Sequence, residues 1–147
     1  ILFCFAFGFW DVFYYLFLKL LIGWPASLFT WDILFLIPVP WVGPVWSLVL
    51  CAIGFIIAGF IVVKQEETAH PVRPTLSEWL FAIAGGIIVI ISWCEEFRII
   101  MSGGSPESFA WPLYWIGFLM GAGAFGRAYF RSVRKVKDSG CRIQDTG

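Results

Sequence analysis

The sequence predicts an all-α integral membrane protein with four transmembrane helices. Between spans 1 and 2 it predicts a short interfacial or re-entrant helix and a proline-rich elbow. The composition is the first reason, since 60% of the 147 residues are hydrophobic and 14% are charged. An average soluble domain is about 45–50% apolar and about 25% charged, and a chain of this size could not bury so much apolar surface in water. The other reasons are the length of the apolar stretches and the placement of the basic residues.

Four apolar stretches reach the roughly 20 residues that a membrane helix needs. They cover residues 1–22, 44–63, 76–99 and 106–130. Because no small-x-small cleavage site follows the first stretch, we expect it to be a retained span. These stretches predict a single transmembrane domain over residues 1–131, followed by a polar, basic tail over residues 132–147.

Local signals mark where the last two spans begin. Thr75 and Glu78 have the spacing of a capping box, in which each side chain bonds to the other residue's backbone N–H at the start of a helix. Ser105 is suited to cap the fourth span. Pro106 suits its first turn, because the N–H that proline lacks would have no partner there.

The basic residues predict the orientation in the membrane. Eight of the ten Lys and Arg residues lie within residues 64–73 and 127–142. The positive-inside rule assigns such segments to the cytoplasm. With four spans, both termini are then cytoplasmic, and Lys19 and Arg98 lie towards the outer side. The formal net charge of zero gives no case for nucleic acid as a partner.

Residues 24–46 are apolar but contain four prolines, which interrupt a plain membrane helix. A helix over the 40 residues from Trp24 to Val63 would measure about 60 Å, twice the thickness of a membrane core. We therefore expect a short helix over residues 27–37 in the outer interface. An extended elbow follows it, since residues before proline avoid the α region. Together they form an outer lid, which we expect to be a docking or ligand-facing surface. The lid residues are Trp31, Pro38, Pro40, Trp41 and Pro44.

Three polar residues lie inside the first span. Asp11, Tyr15 and Lys19 are spaced four residues apart, so they share one face of a helix. Ionisable groups inside a membrane are costly and often functional, so one interpretation is a proton or ion relay. The favoured interpretation is a buried polar stripe that holds this helix to a neighbour, because interhelical polar contacts act as modest glue.

A second group of charged residues lies near the outer end of the third span. Glu95 and Arg98 are three residues apart and can pair on one face, whereas Glu96 needs another partner, such as Lys19 or water. Asp32 is expected near the headgroups, where it caps the short helix or pairs with a basic residue. Paired carboxylates can do acid–base work or bind a cation. No nucleophile or metal-site spacing accompanies them, which favours a structural ion-pair cluster.

No residue pattern predicts a catalytic centre, a metal site or a cofactor. His70 is the single histidine, which excludes a bis-His haem within this chain alone and disfavours sites built from several histidines. The four cysteines are far apart in sequence and form neither a CxxC pattern nor a disulfide framework. The nine tryptophans favour interfacial belts. An aromatic box for a pigment or quinone is the less favoured alternative, so bound lipid, carotenoid or quinone stays open.

The fourth span contains two small-xxx-small pairs, which let helices approach closely in lipid. The four predicted packing residues are Gly117, Gly121, Ala122 and Gly126. This pattern indicates tight helix packing within the protein or against a partner, and it carries no chemistry of its own.

Two segments resemble known sequences. They are TWDILFLIPVPWVGPV and EEFRIIMSGGSPESFAWPLYWIGFLMGAGAF, and they are similar to segments of small, uncharacterised bacterial membrane proteins with about four spans. The resemblance covers residues 10–131 and implies a bacterial inner, or cytoplasmic, membrane. It implies no activity, cofactor or catalytic residue.

We therefore expect a small non-catalytic subunit that packs against a larger bioenergetic or pigment-bearing membrane complex. Its partners would be membrane lipid and other membrane-protein subunits. The alternative is a small ion, proton or solute transporter or channel that acts as an oligomer. The residues of that alternative are Asp11, Lys19, Glu95, Glu96 and Arg98. No obvious inverted repeat of broken helices supports it. A membrane enzyme that uses Glu95 or Asp32 on a lipid has the least support.

Overall fold

The computed structural model describes residues 2–67, 71–106 and 108–144, with side chains up to residue 134. The chain is mostly helical and contains one two-stranded sheet. In order, the elements are α1 (Leu2–Ile22), β1 (Trp31–Phe35), β2 (Trp41–Pro44), α2 (Val45–Glu67), α3 (Leu76–Cys94), α4 (Phe97–Met101) and α5 (Trp111–Gln144). Within the described residues, three helical segments are long and apolar enough to cross a membrane. They are α1, α2 and the segment Leu76–Met101, which contains α3 and α4.

The segment between α1 and α2 is a β-hairpin, so the short helix expected over residues 27–37 is wrong. β1 pairs antiparallel with β2, with Trp31 opposite Pro44. Tryptophan, isoleucine and phenylalanine in β1 favour strands, and the prolines of the turn cannot continue a helix. The extended backbone expected before α2 is confirmed over residues 41–44, which form β2.

The start of the third span follows the sequence prediction, but its end does not. The capping box is confirmed, since the Thr75 N–H donates to Glu78 Oε2 at 2.8 Å and the Glu78 N–H donates to Thr75 Oγ1 at 3.4 Å. The helix ends at Cys94 rather than at residue 99, and the short helix α4 follows after a turn. The span predicted over 76–99 is therefore two helices instead of one.

α5 begins and ends later than the fourth span predicted over residues 106–130. Its first residue is Trp111, so Pro112 takes the place in the first turn that was expected for Pro106. The backbone of the predicted polar tail is helical as far as Gln144. α5 is not one of the three segments apolar enough to cross a membrane.

The helices pack mainly in two pairs, α1 with α2 and α3 with α5. Glycines make the closest approaches. A Cβ atom on Gly8 would lie 2.6 Å from the carbonyl oxygen of Ala52 on α2, and one on Gly117 would lie 2.6 Å from the carbonyl oxygen of Gly85. No side chain fits at such distances, so both pairs depend on glycine at these points.

The predicted packing residues of α5 divide into two sets. Gly117 makes the close contact with α3, and a Cβ on Gly85 would lie 2.9 Å from the backbone nitrogen of Gly121. By contrast, Ala122 is exposed, and a Cβ on Gly126 would meet no atom within 4 Å. One step along a helix rotates a residue by about 100°, so the second small-xxx-small pair lies off the α3–α5 interface.

The buried side chains form two clusters at opposite ends of the helices. The larger cluster lies under the hairpin and contains Tyr15, Val45, Leu48, Val89, Trp93 and Tyr114. The smaller one contains Val62, Val72 and Ala128. We call the first end the hairpin end. The other is the basic end, named for Arg73, Arg127 and Arg131, which lie there.

Candidate functional site

The hairpin is tied to α1 by a hydrogen bond between two of the predicted polar residues. The hydroxyl of Tyr15 donates to Asp32 Oδ2 at 2.7 Å. The other carboxylate oxygen of Asp32 accepts the Ile33 N–H at 2.8 Å. Tyr15 is 6% exposed, so this bond joins the buried face of α1 to β1. Asp32 caps no helix and pairs with neither Lys19 nor Arg98, contrary to expectation.

A second hydrogen-bond network joins three helices below the hairpin. Trp93 Nε1 donates to Ser47 Oγ at 2.9 Å, and that hydroxyl donates to Pro44 O at 2.8 Å. The Tyr114 hydroxyl donates to the carbonyl oxygen of Ser47 at 2.7 Å and lies 3.4 Å from Cys51 Sγ. We call Ser47, Trp93 and Tyr114 the three-helix node, because they come from α2, α3 and α5. All three are buried.

Sequence reasoning missed the three-helix node. Trp93 was assigned to an interfacial belt of tryptophans, and Ser47 and Tyr114 were given no role. The available signal was Ser47, a hydroxyl near the start of an otherwise apolar span, since a polar group buried there needs partners. Its partners lie 46 and 67 residues away in sequence, so helical periodicity could not identify them.

Aromatic rings connect the outer lid to the helices. The ring centroid of Trp41 lies 5.0 Å from that of Phe35 within the hairpin and 6.1 Å from that of Trp93, with the two indoles 24° from parallel. Trp31 makes an edge contact with Phe109 at 6.2 Å. Of the three lid prolines, Pro38 is exposed and Pro40 and Pro44 are increasingly buried. The lid is therefore anchored by its two tryptophans.

Asp11, the acid in the middle of the first span, is buried. It is 7% exposed, and its Oδ2 atom has no hydrogen-bond partner among the described residues. It lies one turn after Gly8, where α1 and α2 approach most closely, and one turn before Tyr15. Asp11 and Tyr15 thus share a buried face, as their spacing predicts, while Asp11 makes no bond to the hairpin.

The side chain of Lys19 points away from the Asp11–Tyr15 face and binds the loop that follows α1. Its ammonium group donates to Pro25 O at 2.8 Å and to Gly23 O at 3.3 Å. Gly23 has a positive φ of 72° and ends α1, as glycine commonly does. Lys19 therefore holds the loop that leads to the hairpin, and it binds neither Asp32 nor Glu96.

The charged residues after α3 do not form the expected ion-pair cluster. Glu78 pairs instead with Arg127 and Arg131 at the other end of the helices, and within the described residues no ion pair joins Glu95, Glu96 or Arg98. Glu95 is exposed, and the Arg98 guanidinium lies 5.9 Å from the centre of the Phe97 ring. The chain turns between α3 and α4, so Glu95 and Arg98 lose the three-residue helical spacing that pairing requires.

Glu96 and Trp41 add two further unsatisfied atoms at the hairpin end. Glu96 Oε2 and Trp41 Nε1 are buried and have no hydrogen-bond partner in the described part of the chain. Together with Asp11 Oδ2 they are the buried side-chain polar atoms that this part leaves unpaired. Two are acceptors and one is a donor, so a ligand or partner with polar groups could satisfy them.

An apolar crevice of about 350 Å³ lies between α1, α2 and the loop before the hairpin. Its wall includes Val12, Tyr15, Leu16, Lys19, Leu28 and Val49. Among the residues that the structure describes, no group of three or more His, Cys, Asp or Glu could hold a metal ion. Cys4, Cys51 and Cys94 are free thiols, and His70 lies outside the described residues. The arrangement offers an apolar surface with a few polar groups.

No protein-family model, curated protein or solved structure matches this chain.

Proposed function

We propose that the chain is a small non-catalytic subunit of a larger membrane complex. It crosses a bacterial inner membrane four times, with both termini in the cytoplasm. Its hairpin end faces outward, and its outer lid contacts the larger complex. The crevice beside Tyr15 offers a place for a lipid tail, carotenoid or quinone.

The fourth span of this proposal is the first part of α5. Gly117 of α5 lies against Gly85 of α3, and α3 belongs to a segment apolar enough to cross a membrane. A helix in backbone contact with a membrane helix runs through the same layer. Arg127 and Arg131 lie at the end that the positive-inside rule assigns to the cytoplasm.

One observation carries the subunit role: the hairpin is hydrogen-bonded to α1 at its base, and its tip exposes large apolar side chains. Leu36 is 67% exposed and Ile37 is 84% exposed. Polar groups join the base of the hairpin to the helices. They are the Tyr15–Asp32 bond, the three-helix node and the Lys19 contacts. A contiguous exposed apolar patch is typical of a protein–protein contact.

The test is purification of the tagged full chain from its own membranes in mild detergent. Larger proteins should co-migrate with the wild type, and Ile37→Ser should release them. Met101→Ser is the matched control, because Met101 is a 71% exposed apolar residue that lies outside the hairpin. A wild-type chain that migrates alone or as a symmetric oligomer would contradict the subunit role.

Proton or ion transport is the second candidate, and the unpaired Oδ2 of buried Asp11 favours it. The other residues of that hypothesis do not line up with Asp11, since Lys19 binds its own loop and Arg98 lies over Phe97. Proton flux into liposomes that contain the purified chain, measured with a pH-sensitive dye, decides between transport and the subunit role. Flux that Asp11→Asn stops and that Glu66→Gln, at an exposed acid outside that set, leaves intact would replace the subunit role.

A further inference from the structure

A second cleft, of about 280 Å³, lies at the basic end between α3 and α5. It is polar at one side and apolar at the other. Ser77, Glu78 and Arg127 form the polar side, and Phe81, Leu119 and Met120 belong to the apolar side.

The single acid in this cleft is already satisfied by other groups. Glu78 is 3% exposed, and its Oε1 accepts a hydrogen bond from Arg131 Nη1 at 2.7 Å. Its Oε2 accepts the Thr75 N–H at 2.8 Å. Both carboxylate oxygens of Glu78 therefore accept a hydrogen bond from a group other than Arg127.

Arg127 keeps most of its charge free for a ligand. Its Nε lies 3.8 Å from Glu78 Oε1, at the long limit of an ion pair, and its side chain is 82% exposed. Arg131 also donates to Arg73 O at 2.7 Å. Its guanidinium is therefore bonded within the protein, whereas that of Arg127 makes only the long contact with Glu78. Glu66 and Glu67, the acids at the end of α2, do not line the cleft. Arg131 offsets the charge of Glu78, so the charge of Arg127 leaves the described mouth of the cleft net positive.

The rest of the cleft suits a hydrocarbon chain. Phe81 and Leu119 are 59% and 61% exposed and lie on the two facing helices. Gly123 leaves room between them, because a Cβ atom there would meet nothing within 4 Å. A cation at the mouth and an apolar floor together match a phospholipid with an anionic headgroup. Basic pockets between membrane helices on the cytoplasmic side bind such headgroups.

We propose that the α3–α5 cleft is a binding site for an anionic phospholipid. The Arg127 guanidinium and the Ser77 hydroxyl hold the headgroup phosphate, and one acyl chain lies along Phe81 and Leu119. This site rests on the membrane insertion in the proposed function, and it is independent of the subunit role.

The test uses native mass spectrometry of the full chain in mild detergent. Phosphatidylglycerol and phosphatidylcholine with identical acyl chains are added at equal concentration. We expect the wild type to bind phosphatidylglycerol about fivefold more strongly, the effect of one basic side chain near a lipid surface. Arg127→Gln should remove that preference. Arg134→Gln is the matched control, because it removes one exposed charge from α5 outside the cleft.

A steric variant tests the apolar part separately. Gly123→Leu fills the cleft and should lower binding of both lipids, whereas Gly86→Leu should change neither. A Cβ atom meets nothing within 4 Å at either glycine, and only Gly123 lines the cleft. If Gly123→Leu does not assemble, Arg127→Gln decides alone, with its helix content checked by circular dichroism.

Three results would overturn the proposal: equal binding of the two lipids, equal losses in Arg127→Gln and Arg134→Gln, or displacement of the lipid by millimolar inorganic phosphate. The last result would indicate a site for free phosphate instead of lipid. None of these results affects the subunit role, which is measured by co-migrating proteins. Conversely, a chain that migrates alone can still show the lipid preference.

Discussion

The hydroxyl of Tyr15 on α1 and the carboxylate of Asp32 on β1 lie 2.7 Å apart. This bond joins a buried position of a membrane-type helix to the hairpin that follows it, across 17 residues of chain. Both residues stand out in the sequence as polar groups in apolar surroundings, but nothing in their spacing pairs them. The contact gives both a structural use.

Removing the Tyr15 hydroxyl should loosen the hairpin. Tyr15→Phe should lower the free energy of unfolding by about 1.5–3 kcal/mol, the range for a hydrogen bond to a charged group. Thermal unfolding in detergent measures the loss. Tyr14→Phe is the control, because Tyr14 is 49% exposed and has no hydrogen bond to the hairpin. Equal melting temperatures for the two variants would contradict the role of the bond.

Removing the Ser47 hydroxyl should weaken the three-helix node. Ser47→Ala leaves the buried Trp93 Nε1 without its acceptor, and an unsatisfied buried donor costs about 1–3 kcal/mol. The Tyr114 bond survives, since it is made to the backbone of Ser47. A lower melting temperature checks the prediction. Ser102→Ala, at an exposed serine after α4, should leave the melting temperature unchanged.

The two glycines of the GxxxG pair should respond differently to alanine. Gly117→Ala inserts a Cβ atom 2.6 Å from Gly85 O, so α3 and α5 must separate and stability should fall. Gly121→Ala meets no atom within 4 Å and should stabilise α5 by up to about 1 kcal/mol through helix propensity. Melting temperatures of the two variants, measured side by side, should move in opposite directions. A similar loss in both would mean that the interface includes the Gly121 side.

We expect Asp11 to lower the stability of the fold. Asp11→Leu removes a buried acid with an unpaired oxygen, and a charged group at a helix centre costs about 2.5–3.5 kcal/mol on insertion. We expect a higher melting temperature for this variant. Asp32→Leu should lower it, because Asp32 accepts two hydrogen bonds. Destabilisation by Asp11→Leu would show that Asp11 has a partner that supports the fold.

Apolar length and helix caps predict the helical part of the fold. The runs that became α1 and α2 are long, and the Thr75–Glu78 capping box marks the start of α3. These signals are local, because a helix bonds to itself within four residues. The hairpin depends on pairing between residues such as Trp31 and Pro44, 13 positions apart, and prolines alone did not distinguish it from a short helix.

The candidate site was only partly predictable for a related reason. Spacing correctly put Asp11 and Tyr15 on one buried face, but it also suggested a Glu95–Arg98 pair that the turn after α3 separates. Lys19 was placed on the same face as Asp11, yet its long side chain reaches the loop carbonyls instead. Long flexible side chains choose partners by tertiary geometry, which helical periodicity does not contain.

Because α5 is long, a small rotation at one end produces a large displacement at the other. It runs from Trp111 to Gln144, a distance of about 50 Å at 1.5 Å per residue, against a membrane core of about 30 Å. Tyr114, in its first turn, is locked to Ser47 beneath the hairpin. A rigid tilt of about 10° around that fixed point would move the far end by about 8 Å. A small movement of the hairpin would thus become a larger displacement at the far end of α5.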